Sequence, residues 1–286
     1  MWVTSGHTSH QGNAPPDKTS DINITTCVPG EICCGTEPTA SWTVAIYSTP
    51  EKKYRYGENT NYGISTYFEC TGVLVHRSVV LTAAHCVQQF VGRRDGLLRV
   101  HVTTWEKNTF THGIGVQQVL LHPEFLPSAL YHDVALIHLS YPVHEHVIPI
   151  CLPMPSAPRL ADSCHYSAYT GRKVSANDQP RNVEVQLIDH SICEKYIQEH
   201  IDPYFHLDNS FLCGNNTQAA NVTKGDGGAP LVCDVVGTNA PQRFAVAGLT
   251  SWKYNELVVF VNITENRDWI HQQLNLMVLH LDNFML

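Results

Sequence analysis

Short apolar runs bounded by turn-forming residues recur from Trp42 onward, and no other feature limits the possible folds of this chain as strongly. They comprise Thr43 to Tyr47, Thr71 to Val75, Val79 to Thr82, Gly115 to Leu121, Val134 to Leu139, Val183 to Ile188, Arg243 to Trp252 and Leu257 to Val261. Runs of this length rich in Val, Ile, Leu and Thr read as strands, and their spacing predicts an antiparallel barrel or sandwich. Two small barrels sharing one interface also fit a chain of 286 residues. One segment reads differently: Ile270, Leu274, Met277, Val278 and Leu281 share a face at helical spacing, so a terminal helix is expected to dock on the β core. Residues 1–40 carry Ser, Thr, Pro, Gly and Asn without hydrophobic periodicity and read as a flexible arm, which leaves 41–286 as the globular domain.

Composition agrees with that class. Charged residues make up 15% of the chain and hydrophobic ones 43%, which suits a β-rich fold better than a charge-laced helical bundle. The balance of 18 basic to 26 acidic residues, with no Lys/Arg block, argues against nucleic acid as a partner. No apolar stretch reaches bilayer length. Ten cysteines without paired zinc-type clusters imply disulfides and an oxidising compartment. Glycosylation sequons at Asn23, Asn215, Asn221 and Asn262 point to the same secreted, extracellular setting. The first residues lack the basic flank and apolar run of a signal peptide, so an incomplete N-terminus is expected.

Three blocks carry chemistry. In Val80-Leu-Thr-Ala-Ala-His85-Cys86 a histidine follows an apolar strand beside a cysteine whose expected partner is Cys70, a clamp that would fix the imidazole in space. In Tyr131-His-Asp133-Val-Ala-Leu a carboxylate precedes a buried strand and can orient that imidazole by accepting its ring N–H. Lys224-Gly225-Asp226-Gly227-Gly228-Ala229-Pro230 is a glycine-rich turn entering a strand.

These blocks resemble TAAHC, DxAL and GDSGGP of the trypsin-like serine proteases, in that order, over about residues 40–276. The resemblance implies an all-β fold, a double antiparallel β-barrel with a C-terminal helix. It makes His85 and Asp133 triad remnants, with Gly225 and Asp226 in the turn of the former oxyanion hole. It also puts Gly227 where the family carries its nucleophilic serine. Without a hydroxyl no acyl-enzyme forms, and Gly225, Asp226 and Gly228 offer no substitute, the nearest upstream hydroxyl being Thr223.

Further departures follow from the same resemblance. Asn221, Lys253 and Val258 match the specificity pocket, where active relatives have a floor residue and two glycines, so Lys253 and Val258 are expected to fill it in part. The segment from Trp252 to Val258 is shortened, and a cysteine pair that braces this pocket in the family is missing. Active relatives are cleaved after Lys or Arg to free an amine that pairs with the aspartate matching Asp226. No Lys or Arg lies between Lys18 and Lys52 here, so Asp226 needs another partner. The family's disulfides imply Cys70–Cys86, Cys164–Cys233, Cys193–Cys213, and Cys151 with one of Cys27, Cys33 or Cys34, the choice among these three being open.

A nearer resemblance is to the clip-domain, masquerade-like serine protease homologues of arthropods, which also carry GDGG. It rests on Leu97-Leu-Arg-Val, Thr104-Trp-Glu, Leu121-His-Pro-Glu-Phe, Cys151-Leu-Pro and the block Phe205 to Cys213, while Cys27-x5-Cys33-Cys34 looks like the end of a clip domain. That group implies a secreted pseudoprotease, and no cofactor is expected. It would bind other secreted proteins, cascade proteases or zymogens, in prophenoloxidase activation and innate immunity. A microbial-surface or carbohydrate-binding module is the alternative reading, and Gly227 weighs against an active endopeptidase. Plainer roles compete at each site. His85 and Asp133 can be a buried, hydrogen-bonded pair in a packed interface, and the Gly225 to Gly228 turn a turn and nothing more. His144 and His146 lack a third ligand, so no metal is assigned.

Overall fold

The computed structural model describes residues 42–49, 67–93, 97–102, 113–144, 147–153, 160–169, 179–216, 226–235 and 244–282. The arm over 1–40, together with Asn23, Cys27, Cys33, Cys34, His146, Asn221 and Gly225, lies outside them. Among the described residues, strands β1 (Thr43–Ser48), β2 (Tyr67–His76), β3 (Val79–Thr82), β4 (Leu98–Val102), β5 (Ile114–Leu121) and β6 (Ala135–Leu139) close a barrel in the order β1-β2-β3-β6-β5-β4. A second barrel closes as β10-β11-β12-β9-β8-β7. It comprises β7 (Leu160–Ala168), β8 (Arg181–Ile188), β9 (Phe211–Asn216), β10 (Pro230–Val235), β11 (Phe244–Tyr254) and β12 (Leu257–Asn262). Every ladder is antiparallel. Closure pairs the last strand with the first, so neither barrel leaves a sheet edge unbonded.

The β-branched runs fill these interiors. Val44, Ile46, Val73, Leu81, Val100 and Ile137 are wholly buried in the first barrel, and Tyr166, Val185, Leu231 and Phe260 in the second. Val232, Val246, Leu249 and Val261 of the second barrel join the apolar cluster of the first, which makes the interface between barrels a continuation of the core. The terminal helix, α3 (Ile263–Asp282), adds Ile270, Leu274 and Met277 to that cluster, as its periodicity predicts. The side chains of Val278 and Leu281 lie outside the described residues. Asn262 starts this helix, its Oδ1 accepting the Thr264 N–H at 3.0 Å.

Several elements depart from the sequence reading. Strands β4, β7 and β9 were not expected, because Leu160–Ala168 and Phe211–Asn216 contain Ser, His, Gly and Asn that weaken the period-2 signal. Their pairing across the barrel overrides local preference. Helix α2 (His190–His200) was also missed: only Cys193 and Ile197 are buried, too sparse a stripe to read by periodicity. Its start was legible, since Asp189 caps it by accepting the Ser191 N–H at 2.9 Å. A third, short helix, α1 (Ala84–Val87), follows β3 directly.

Disulfides join Cys70 to Cys86, Cys164 to Cys233 and Cys193 to Cys213, and Cys151 is disulfide-bonded as well. The first clamps α1 to β2, the second ties β7 to β10 inside the second barrel, and the third fastens α2 to β9. Of the sequons, Asn215 is exposed on β9 and Asn262 is half-buried at the head of α3.

Candidate functional site

The three blocks converge where the barrels meet. β3 runs out through Thr82 into α1, which carries His85, while Asp133 precedes β6, the strand paired with β3. Asp133 is fully buried and accepts three hydrogen bonds. His85 Nδ1 binds its Oδ2 at 2.7 Å, the His85 backbone N–H donates to its Oδ1 at 2.8 Å, and Ser251 Oγ on β11 donates to its Oδ2 at 2.6 Å. With Nδ1 bonded to the carboxylate, the imidazole presents Nε2. The His85 side chain is 30% exposed, so the expectation of a buried pair is met by the carboxylate and not by the ring.

Gly227 sits against that Nε2. A Cβ built on Gly227 would lie 2.9 Å from His85 Nε2, 3.1 Å from Cys86 Sγ and 3.2 Å from Cys70 Sγ. The imidazole and the disulfide thus close tightly on this position, so a side chain there would push the ring aside. Neighbouring Gly228 is fixed more stringently, with φ at +72° and Thr82 Oγ1 within 2.2 Å of any Cβ, so only glycine fits this turn. The turn is stitched to both barrels: Thr71 N–H on β2 donates to Gly227 O at 3.0 Å, and Gly228 N–H donates to Thr250 O on β11 at 2.8 Å.

Asp226 is fully buried, and its Oδ2 is bonded to Nη2 of Arg181, the first residue of β8. The guanidinium also lies 5.7 Å from the centroid of the buried Tyr166 ring. Burial pushes the Tyr166 hydroxyl up to about 12, so it adds no second negative charge beside Asp226. Arg181 is a partner for Asp226 that the sequence left open.

The other singled-out residues scatter. Val258 is buried among Val185, Ala247 and Phe260 of the second barrel. Lys253, its cross-strand partner in the β11–β12 ladder, is exposed. His144 stands apart at a loop. Sequence reasoning missed Ser251 and Arg181, which lie 118 and 45 positions from the carboxylates they bond, and no local pattern marks either.

Comparison with known proteins places this architecture. The family description "Trypsin" matches residues 43–270. An inactive CLIP domain-containing serine protease A28 of Anopheles gambiae is 24% identical, over 82% of this chain and 61% of its own length. Serine protease 56 of Mus musculus is 31% identical, over 72% of this chain and 34% of its own. Phenoloxidase-activating factor 2 of Galleria mellonella is 29% identical, over 70% of this chain and 69% of its own. The chain therefore spans well under the full length of the first two.

Proposed function

The chain belongs to the trypsin family, and from that premise we propose that it is a secreted, non-catalytic serine protease homologue that acts by binding within an extracellular protease cascade of the immune type. One observation carries the reading: at the position matching the nucleophile stands Gly227, with no hydroxyl to face His85 Nε2, and the imidazole and the Cys70–Cys86 disulfide close tightly on it. His85 and Asp133 retain the orientation of a general base, yet a base with no hydroxyl beside it has nothing to activate. Gly225 and Asp226 match the former oxyanion turn, and Asn221, Lys253 and Val258 the former specificity pocket. Relatives named as inactive CLIP-domain proteases, and one named a phenoloxidase-activating factor, support the cascade assignment. Binding survives loss of chemistry because the loops are held on two rigid barrels.

Two measurements test this reading. The purified chain is expected to hydrolyse no Arg, Phe or Ala ester and to take no fluorophosphonate label. Added to a reconstituted prophenoloxidase-activating mixture, it is expected to change the rate of phenoloxidase formation and to co-purify with a protease or zymogen of that mixture. Turnover that His85→Ala abolishes would sink the non-catalytic reading. Capture of a microbial polysaccharide with no effect on the cascade would favour the carbohydrate-binding alternative.

A further inference from the structure

A cluster away from Gly227 assembles metal-ligand chemistry that the sequence keeps apart. His122 and Glu124 follow β5, and His132 lies in the loop before β6. One ligand atom from each falls within 4.8 Å of the other two. The two imidazoles stack at 4.7 Å with an interplanar angle of 10°, and the Trp269 ring of α3 lies edge-on to His122 at 4.9 Å.

The tautomer of His132 is fixed by its neighbours. Asn266 Nδ2 donates to the Asn262 carbonyl at 2.7 Å, an acceptor only, so Asn266 must present its Oδ1 to His132 Nδ1 at 2.8 Å. His132 Nδ1 therefore carries the ring proton, and Nε2 is the nitrogen left for a ligand. A buried amide that holds the far nitrogen of an imidazole is the arrangement that orients a metal-binding histidine. Nε2 then faces Glu124 Oε2 at 3.6 Å. For the neutral ring this sets lone pair against carboxylate, a repulsion that a cation between them would reverse. His132 reaches this geometry in the left-handed backbone region, with φ at 48°, where a non-glycine residue is strained.

We propose that His122, Glu124 and His132 form a binding site for a borderline divalent cation such as Zn2+, with water completing the shell. Two nitrogens and one carboxylate oxygen are a zinc-type donor set, harder than thiolate and softer than the all-oxygen sets of calcium. The Glu124 backbone N–H donates to His122 Nδ1 at 3.2 Å. Whichever nitrogen of His122 ligates, that bond is given up, because the ion takes the Nδ1 lone pair or Nδ1 takes the ring proton. The lone pairs of two stacked rings lie in nearly parallel planes, so one imidazole turns out of the stack for both to reach one ion, and the site therefore binds moderately and not with the grip of a structural zinc centre. His132 adjoins Asp133, so an occupied site would hold the segment that carries the carboxylate bonded to His85.

The test is calorimetric titration of the chelator-treated full chain with Zn2+, and of Co2+ followed by its visible absorption. Glu124 is largely exposed, so Glu124→Gln leaves the fold intact, while His132→Gly suits the positive φ but removes the bond to buried Asn266, so its stability is measured without metal beside that of the wild type. One ion per chain is expected at this site in the wild type, with its affinity lost in both variants. Asn266→Ala, whose stability is measured separately without metal, is expected to weaken it about 10- to 100-fold. Failure of the wild type to bind Zn2+, or binding that survives either ligand substitution, overturns the site. Neither result bears on the ester and cascade assays, so this proposal stands or falls separately from the function proposed above.

Discussion

Gly227 lies so near His85 that a Cβ at this position would stand 2.9 Å from the imidazole Nε2, closer than packed atoms tolerate, so the placement of the ring depends on the glycine. Gly227→Ser is therefore expected to destabilise the fold by about 1–3 kcal/mol, as overpacking does, and to leave ester hydrolysis at background. The serine would have to displace the ring or the disulfide to enter, and Val258 is packed into the second-barrel core in any case. Hydrolysis of Arg, Phe and Ala esters by Gly227→Ser and by Gly227→Ser/His85→Ala checks this. Trypsin-like rates in the single variant that vanish in the double one would show an intact cleft.

Arg181 makes a second dependence measurable. Its guanidinium is bonded to a carboxylate with no exposure, and removing the cation of a buried pair takes away the charge that compensates the carboxylate. Arg181→Ala is expected to cost about 3 kcal/mol, the low end for such pairs because the arginine side chain is one quarter exposed. Arg181→Ala/Asp226→Asn should recover part of that loss, since the carboxylate charge is gone. Urea midpoints for the two variants give the comparison; equal losses would mean that Asp226 does not rely on Arg181.

Acid should destabilise this protein through buried imidazoles. Burial first, and the Arg99 guanidinium second, lower the His101 pKa to about 4 from its ordinary 6.5, with the Tyr47 ring edge-on at 4.5 Å. Between pH 6.5 and about 4 the unfolded chain takes up a proton that folded His101 refuses, so its contribution is complete above 6.5 and lost as pH falls through that window. His122, also lowered to about 4, acts with the same sign. Denaturation midpoints from pH 7 to pH 4 should fall less steeply in His101→Gln than in the wild type; identical slopes would remove His101 as a cause.

Helix α2 leans on its disulfide, because only Cys193 and Ile197 are buried along it. Cys193 and Cys213 close a loop of 20 positions, for which chain entropy implies about 3 kcal/mol. Cys193→Ala/Cys213→Ala is expected to lose stability of that order and to speed amide exchange in α2 more than in β11 or β12. Uniform acceleration across the second barrel would show that the disulfide supports the whole sheet.

The sequence by itself determined the elements whose signal is local. β-branched runs such as Val79–Thr82 and Leu257–Asn262 fix strands because their side chains fill a pleated, buried surface wherever they pair. The face shared by Ile270, Leu274 and Met277 fixes α3 in the same way. The absence of a hydroxyl at residue 227 needs no fold to be read, and the order of the three blocks was enough to expect the double barrel. Tertiary structure alone decided which distant groups meet. Arg181 reaches Asp226 across 45 positions, Ser251 reaches Asp133 across 118 and Asn266 reaches His132 across 134. These meetings follow from barrel closure and from the docking of α3, which bring together residues that no periodicity along the chain relates. For the same reason the weakly patterned β7 and β9 became strands only when their neighbours supplied the hydrogen bonds.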